Sequence, residues 1–293
     1  MNNHRSAFPL YDPQFEHDAC GTGFVAKING EKSHDIVRKA IQSVCNLTHR
    51  GAVAADTQTG DGAGILTQLP VKFFLSEVQG LAARMDSGDE LGVGMMFLPS
   101  NDEDARLLCR ALVEHVTSKR GLGFMGWRSV PLDLSVLGES AALTAPEIQQ
   151  VFVKKPKHVG AMEFERILYL CRKEIEKHLL KTDVRNFYIC SFSSRTIVYK
   201  GLMIATALDK FFPDLKSTDF ESAFAIYHQR YSTNTFPTWG LAQPFRMLAH
   251  NGEINTIQGN RVWTNAREAE IAADFWGEDT KVLKPLLQPG GSD

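Results

Sequence analysis

The order of short β-rich runs along the chain is the strongest constraint on its fold. Such runs occupy residues 22–28, 91–98, 123–130, 149–153, 186–193, 195–200, 222–230 and 244–250. The runs 186–193 and 195–200 are nearly adjacent and predict a hairpin around Ser193-Ser194-Arg195. Many short strands in hairpin order, interrupted by helices, predict antiparallel sheets covered by helices rather than a parallel doubly wound sheet.

Three stretches between these runs have the apolar periodicity of helices. Residues 34–47 place an apolar face on the helix, made of Ile36, Val37, Ala40, Ile41, Val44 and Cys45. Residues 101–121 are predicted to begin at an Asn101 cap and to stop at Gly121. The apolar stripe of that helix is predicted to comprise Leu107, Leu108, Ala111, Leu112 and Val116. Residues 162–180 are predicted to bury Phe164, Ile167, Leu168, Cys171, Ile175 and Leu179.

Composition and charge exclude several classes of partner. The chain has 293 residues, of which 43% are hydrophobic and 23% charged, and its net charge is −2. A dedicated nucleic-acid-binding protein would be expected to have a basic balance. The sequence contains no apolar run as long as a transmembrane helix. We therefore expect neither a nucleic acid nor a membrane as a partner.

The cysteines indicate the compartment and argue against a metal. The five cysteines, at positions 20, 45, 109, 171 and 190, are scattered and form no Cys-x-x-Cys pair. This set predicts no disulfide framework, zinc site or iron–sulfur cluster in this chain. Residues 1–19 lack the apolar region of a secretory signal. We expect a reducing, cytoplasmic location and no bound metal.

Cys20 is the candidate nucleophile, although most cysteines are simply small buried hydrophobic residues. Cys20 precedes Gly21-Thr22-Gly23, and glycines there let the backbone approach a ligand and leave the thiol open. The preceding residues 1–19 are polar and acidic and predict little regular structure. Their removal would give Cys20 a free α-amine. Because the pKa of an α-amine is about 8 and that of a thiol about 8.5, this amine can serve as the general base.

A second motif follows the apolar run that ends near residue 229. Arg230 precedes hydroxyl and amide side chains, which include Thr233 and Asn234. A guanidinium group can bind both oxygens of a carboxylate, and the two polar side chains can add hydrogen bonds. An arginine that forms an ion pair at a strand edge is equally compatible with this segment.

Two glycine-containing motifs complete the set. Asn251-Gly252 is typical of a turn, but in a thiol hydrolase the Asn251 amide and the Gly252 N–H can form an oxyanion hole. Residues 60–64, Gly-Asp-Gly-Ala-Gly, are not a phosphate-binding loop because no Gly-Lys-Ser/Thr follows. We predict a tight turn near the cleft at this position.

Taken together, six motifs resemble one enzyme family. They are 20–24 (CGTGF), 49–52 (HRGA), 60–64 (GDGAG), 229–235 (QRYSTNT), 249–256 (AHNGEINT) and 291–293 (GSD). The chain from position 20 to 293 resembles the class II, N-terminal nucleophile, glutamine amidotransferases. It is most similar to the amidotransferase domain of the glutamate synthase large subunit. The stretches 230–239, 248–256 and 259–261 carry the most specific part of this resemblance.

The resemblance implies an α+β fold, a four-layer αββα sandwich of two antiparallel sheets. It implies that Cys20 attacks the side-chain amide of L-glutamine to form a γ-glutamyl thioester, which water hydrolyses to glutamate. The ammonia released would serve reductive amination of 2-oxoglutarate. The other implied roles are α-carboxylate binding by Arg230, Thr233 and Asn234, an oxyanion hole at Asn251 and Gly252, ammonium binding by Asp293, and ordering of the nucleophile's amine by Arg50.

The resemblance also suggests how the chain is organised. We expect a propeptide at residues 1–19 and an amidotransferase type 2 domain at 20–293, truncated at its C-terminus because residues 288–293 form a glycine-rich loop. The implied partners are the remainder of the glutamate synthase large subunit and a small subunit. FMN and an iron–sulfur cluster are implied for the full-length enzyme and not for this chain. The alternatives are another class II amidotransferase, which donates nitrogen to a sugar phosphate or to aspartate, and a catalytically silent interaction domain.

Overall fold

Two antiparallel sheets lie at the centre of the fold. The computed structural model describes residues 21–230, 236–247, 256–270 and 276–288. Within these ranges the strands are β1 (Thr22–Ala26), β2 (Ala63–Gln68), β3 (Leu91–Leu98), β4 (Gly123–Ser129), β5 (Glu147–Lys154), β6 (Tyr188–Ser193), β7 (Thr196–Gly201) and β8 (Phe224–Gln229). The first sheet has the order β1-β8-β2-β7, and the second has the order β4-β5-β3-β6. Every strand pair is antiparallel.

The described ranges contain eight α-helices, and three long ones pack on the sheets. The eight helices are α1 (His34–Asn46), α2 (Val71–Glu77), α3 (Glu103–Lys119), α4 (Glu139–Leu143), α5 (Ala161–Leu179), α6 (Leu208–Phe211), α7 (Ile257–Glu268) and α8 (Thr280–Leu283). Helix α1 packs on β1 and β8, whereas α3 and α5 pack on each other and on the second sheet. The predicted α+β sandwich of two antiparallel sheets between helical layers is therefore confirmed.

The predicted hairpin between residues 186–193 and 195–200 is wrong. β6 belongs to the second sheet and β7 to the first, so the chain crosses from one sheet to the other at Ser193-Ser194-Arg195. The crossing is fixed by Glu165 of α5, which accepts hydrogen bonds from Ser193 Oγ at 2.9 Å and from Ser194 Oγ at 2.6 Å. A short polar connection is typical of a hairpin, but here a distant carboxylate satisfies the serine side chains and the Ser194 N–H.

Helix α3 presents a different face to the core than its sequence suggests. Its N-cap is Asp102, whose side chain accepts a hydrogen bond from the Ala105 N–H at 2.9 Å, and not Asn101. Leu107 and Leu108 of the predicted stripe are 55% and 50% exposed. Val116 of the stripe is buried as predicted, and Leu112 packs against the same core, but the other buried residues are Cys109, Val113 and Thr117. Because apolar residues lie on two faces of this helix, the position of α5 and the second sheet decides which face is buried.

Candidate active site

Three motif-bearing segments converge at one end of the first sheet. The register of β1 and β8 pairs Thr22 with His228. One residue further along, the Gln229 N–H donates a hydrogen bond to the Gly21 carbonyl at 2.7 Å. The Arg230 N–H donates to the Gly62 carbonyl at 2.8 Å. Gly21, Arg230 and Gly62 are therefore held together by backbone hydrogen bonds, although they are far apart in sequence.

Close packing of glycine backbones brings Arg50 to the same place. A Cβ atom built on Gly21 would lie 2.1 Å from the Gln229 carbonyl oxygen and 4.0 Å from the Cβ of Arg50. A Cβ atom on Gly51 would lie 2.1 Å from Nε2 of Gln229. Only glycine fits at these two positions, because any side chain would overlap the end of β8. Arg50 thus lies beside Gly21, the residue that follows Cys20.

Arg230 is buried, with only 3% of its surface exposed. It follows β8 directly, so its backbone is fixed by the sheet on both sides. Charge–charge interactions are stronger where water is excluded, and a guanidinium group can bind a carboxylate through two parallel hydrogen bonds. The position of Arg230 beside Gly21 therefore suits recognition of a small anionic ligand at this end of the sheet.

The predicted site residues are only partly visible in the structure. Arg50 and Arg230 are described: Arg50 lies beside Gly21, and Arg230 follows Gln229, which is hydrogen-bonded to Gly21. The remaining predicted site residues lie outside the described residues: Cys20, Thr233, Asn234, Asn251, Gly252 and Asp293. Their roles stay predictions that rest on the sequence.

Residues 236–247 join the motif at 229–235 to the motif at 249–256, and we refer to them as the connecting segment. The sequence predicts a strand at 244–250, but residues 244–247 form none, and 248–250 lie outside the described residues. Instead the turn Trp239–Leu241 of this segment contacts β7 of the first sheet and β6 of the second. Trp239 is buried against Phe97 and Phe211, with ring centroids 5.9 and 5.7 Å apart. The aromatic ring of Trp239 anchors the segment in the core.

Glycines of the 60–64 motif make room for the connecting segment. A Cβ atom on Gly62 would lie 2.7 Å from the Ala242 Cβ, and one on Gly64 would lie 2.6 Å from the Gln243 carbonyl oxygen. Gly62 also has a φ of +130°, which side-chain-bearing residues rarely adopt. The predicted tight turn is wrong for Ala63 and Gly64, because both belong to β2.

Replacing Gly64 with alanine is expected to destabilise the protein by about 1–3 kcal/mol, as overpacking typically does. The new Cβ would meet the backbone of the connecting segment, which cannot move without displacing Trp239 from the core. The measurement is the midpoint of urea unfolding. The matched control is Gly259→Ala in α7, where an added Cβ meets nothing within 4 Å. Because glycine is a poor helix former, the urea midpoint of the Gly259→Ala variant should equal or exceed that of the wild type. Equal midpoints for the Gly64→Ala variant and the wild type would contradict this packing.

Sequence reasoning missed Lys200, which lies in β7 and is only 1% exposed. Its Nζ donates hydrogen bonds to the carbonyls of Gly240 at 2.8 Å and Ala242 at 2.6 Å. It also lies 4.5 Å from the ring centroid of Tyr188 and 4.7 Å from that of Phe245. Among the described carboxylates none forms an ion pair with it. A single lysine near the end of a strand usually lies in solvent, so the sequence gave no reason to select it.

The cysteines of the described chain neither form a metal site nor offer a nucleophile. Cys45, Cys109, Cys171 and Cys190 lie in four different elements, and no group of three metal-binding side chains occurs in the described ranges. An iron–sulfur cluster needs four thiolates together, so these residues do not fit one. Burial raises the pKa of Cys109 to about 11 and those of Cys171 and Cys190 to about 12. Burial also raises the pKa of Cys45. All four thiols therefore stay protonated at neutral pH.

Along the described parts of the chain, no helix combines the length and apolarity needed to cross a membrane.

Comparison with known proteins identifies the family. A family model for class II glutamine amidotransferases matches residues 20–293, so the match begins at Cys20. The chain belongs to this family.

The chain is also similar to long proteins that contain such a domain. It is 48% identical over 283 residues to the large chain of an NADPH glutamate synthase from Azospirillum brasilense, an alignment that covers 97% of this chain and 19% of the relative. It is 42% identical over 285 residues to the corresponding large chain from Bacillus subtilis, covering 97% of this chain and 18% of the relative. It is 46% identical over 281 residues to a chloroplastic ferredoxin-dependent glutamate synthase of Oryza sativa subsp. japonica, and this alignment covers 95% of this chain and 17% of the relative. The chain thus spans about a fifth of the length of these relatives.

Proposed function

We propose that this chain hydrolyses L-glutamine to glutamate and ammonia, with Cys20 as the nucleophile once residues 1–19 have been removed. The observation that carries the proposal is the pair of hydrogen bonds at the end of the first sheet. They join Gln229 to Gly21, which is covalently linked to Cys20, and they join the adjacent buried Arg230 to Gly62. The family match supports the same assignment, because it begins at Cys20.

Cys20 is the remaining candidate for a reactive thiol. The other four cysteines have raised pKa values because they are buried, so their thiolate forms are scarce at neutral pH. A thiol on an N-terminal residue has a base of matching pKa in its own α-amine. In the uncleaved chain, the backbone nitrogen of Cys20 belongs to a peptide bond and is therefore not basic. Removal of residues 1–19 would therefore create the base as well as expose the nucleophile.

The proposed reaction proceeds in two balanced steps. The α-amine of Cys20 takes the thiol proton, and the sulfur attacks the side-chain amide carbon of glutamine. The tetrahedral oxyanion is stabilised by the Asn251 amide and the Gly252 N–H. The protonated amine then gives its proton to the leaving nitrogen, ammonia departs, and a γ-glutamyl thioester remains. A water molecule, deprotonated by the same amine, hydrolyses the thioester to glutamate and regenerates the thiol.

The substrate is proposed to be held by its α-substituents, away from the reacting amide. Arg230 binds the α-carboxylate, and Thr233 and Asn234 add hydrogen bonds to it. Asp293 binds the α-ammonium group. Arg50, which lies beside Gly21, keeps the α-amine of Cys20 oriented toward the thiol and, being cationic, favours the neutral, basic form of that amine.

The similar proteins suggest the fate of the ammonia. We propose that this domain works within a glutamate synthase and that its ammonia serves the reductive amination of 2-oxoglutarate. Its partners would then be the remainder of the large subunit and a small subunit, in the cytoplasm. FMN and the iron–sulfur cluster are assigned to parts of such an enzyme outside this domain. The described residues contain no group of three metal-binding side chains that could hold a cluster.

Removal of residues 1–19 is expected to switch on glutamine hydrolysis. Protein whose intact mass shows Cys20 as its N-terminus should release glutamate from glutamine, whereas protein that retains Met1 should be inactive. The reason is that only the cleaved chain has a free α-amine at Cys20. Glutamate release and intact mass are measured on the same samples. Full activity in protein that retains Met1 would refute the proposed base, and no activity in the cleaved protein would favour a catalytically silent domain.

A further inference from the structure

Lys200 and the connecting segment depend on each other for their positions. The ammonium group of Lys200 is removed from water, which is costly unless hydrogen bonds compensate. Two of its hydrogen bonds go to carbonyls of the connecting segment, those of Gly240 and Ala242. The ring of Phe245, in the same segment, covers the amine from another side. If the segment moved away, the Tyr188 ring and hydroxyl would be the remaining partners of the Lys200 amine among the described residues.

The connecting segment in turn lies against the part of β2 that holds the candidate site. Ala242 and Gln243 pack on Gly62 and Gly64, and the Gly62 carbonyl accepts the hydrogen bond from the Arg230 N–H. The segment begins and ends beside the two motifs to which substrate binding and oxyanion stabilisation are assigned. A displacement of about 1 Å in such groups can cost on the order of 10²-fold in rate.

We propose that Lys200 is a positioning residue whose amine fixes the connecting segment on β2 and β7, and so restrains the stretch of chain that joins the carboxylate-binding motif at 229–235 to the oxyanion motif at 249–256. The proposal rests on the proposed function for the roles of those two motifs. Lys200 itself contacts backbone carbonyls and aromatic rings, and we assign it no contact with the substrate.

The charged and titratable groups around Lys200 make its contribution to stability depend on pH. Burial lowers the pKa of Lys200 to about 7, the Cys190 thiol opposes this, and the charges of Arg246 and Arg230 lower it further. Tyr188 is the remaining titratable neighbour, and burial raises its pKa to about 12. In the unfolded chain the pKa of a lysine is about 10.4. Between these two values the unfolded state binds more protons than the folded state, so the contribution of Lys200 to stability rises with pH.

The test compares the full chain carrying Lys200→Met, Lys200→Arg or no substitution. Methionine keeps an apolar stem but removes the amine, whereas arginine keeps a permanent charge and donors. We expect Lys200→Met to lower hydrogen-exchange protection in residues 236–247 at least tenfold and kcat/KM for glutamine at least tenfold. The Lys200→Arg variant should keep part of the hydrogen-exchange protection and part of the kcat/KM that Lys200→Met loses. The matched control is Lys155→Met, which removes an amine that donates to the Val159 carbonyl at 2.8 Å, just after β5 in the second sheet. It should stay within twofold of the wild type in both measurements.

Unfolding at several pH values provides a readout that does not need activity. From pH 7 to pH 10 the unfolding equilibrium constant of the wild type should fall relative to that of Lys200→Met, by up to tenfold per pH unit. A difference that does not change with pH would place the amine in water and overturn the proposal. Wild-type exchange and kinetics in Lys200→Met, or a uniform loss of protection in all elements, would also overturn it. If the wild type fails to hydrolyse glutamine, the proposed function fails, while exchange and unfolding still decide whether Lys200 holds the segment.

Discussion

Replacing Cys20 with alanine is expected to reduce glutamine hydrolysis to the uncatalysed background. No other group in the proposed reaction can form the γ-glutamyl thioester, because three of the described cysteines are buried, Cys45 is half-buried, and all four have raised pKa values. Wild type and variant are prepared with residue 20 as their N-terminus, so that a failure of processing cannot mimic a loss of chemistry. Cys20→Ser should fold equally well and react far more slowly, because a hydroxyl is harder to ionise than a thiol.

A glutamine-mimicking electrophile provides a second readout for the same residue. It should add one label per chain, and peptide mapping should place the label on Cys20. The matched control is Cys45→Ala, since Cys45 is the most accessible of the described cysteines and should be dispensable for activity and labelling. Labelling of Cys45 or Cys190 instead, accompanied by loss of activity, would show that the nucleophile has been assigned wrongly.

Arg230→Lys is expected to raise KM for glutamine by about tenfold or more and to leave kcat nearly unchanged. Arg230 is assigned to the α-carboxylate, which does not change charge during the reaction, so its contacts are alike in the ground state and the transition state. Lysine keeps the positive charge but cannot form the two parallel hydrogen bonds of a guanidinium group. The measurement is steady-state kinetics over a wide range of glutamine concentrations.

Asn251→Ala should have the complementary effect, a fall in kcat of roughly 10²–10³ with little change in KM, because the oxyanion exists only during the chemical step. The opposite pattern, in which Asn251→Ala changes only KM, would mean that Asn251-Gly252 is merely a turn.

A buried arginine far from the site controls for general destabilisation. Arg128 of β4 donates two hydrogen bonds to Asp214, each 2.8 Å long, and burial of both side chains makes this a structural ion pair. Arg128→Lys should lower the melting temperature and leave KM for glutamine unchanged. A rise in KM in this variant equal to that in Arg230→Lys would attribute the effect at Arg230 to loss of stability instead of substrate binding.

Local sequence patterns predicted the elements well where a single periodicity dominates. The strand at 91–98 and the helices at 34–47 and 162–180 were recovered to within one or two residues, as Leu91–Leu98, His34–Asn46 and Ala161–Leu179. In the two helices, the side chains that face the core repeat with the period of the helix, so the pattern can be read without knowledge of the neighbours. Every residue of the strand is buried, and its short continuous apolar run identified it. The antiparallel sandwich followed from the order of these elements along the chain.

The structure corrected the sequence where the deciding contact comes from elsewhere in the fold. The sequence of residues 186–200 predicted a hairpin. In the structure, Glu165 of α5 binds the two serines of the connection, and the chain passes there from one sheet to the other. The glycines at 60–64 looked like a turn, but Gly62 and Gly64 serve to admit the connecting segment. In both cases the local residues are compatible with either structure, and a partner distant in sequence selects one.

The same division holds for the candidate site. The sequence by itself determined which residue types can carry the chemistry: a cysteine before glycines, an arginine after a strand, and an Asn-Gly pair. Thiol, guanidinium and amide chemistry is a property of the side chain, so it can be read one residue at a time. The fold was needed to see that Arg50 and the end of β8, just before Arg230, both lie at Gly21, and that Lys200 is buried beneath the connecting segment. Those facts depend on the pairing of β1, β2, β7 and β8, because antiparallel hydrogen bonding brings together positions that no local pattern relates.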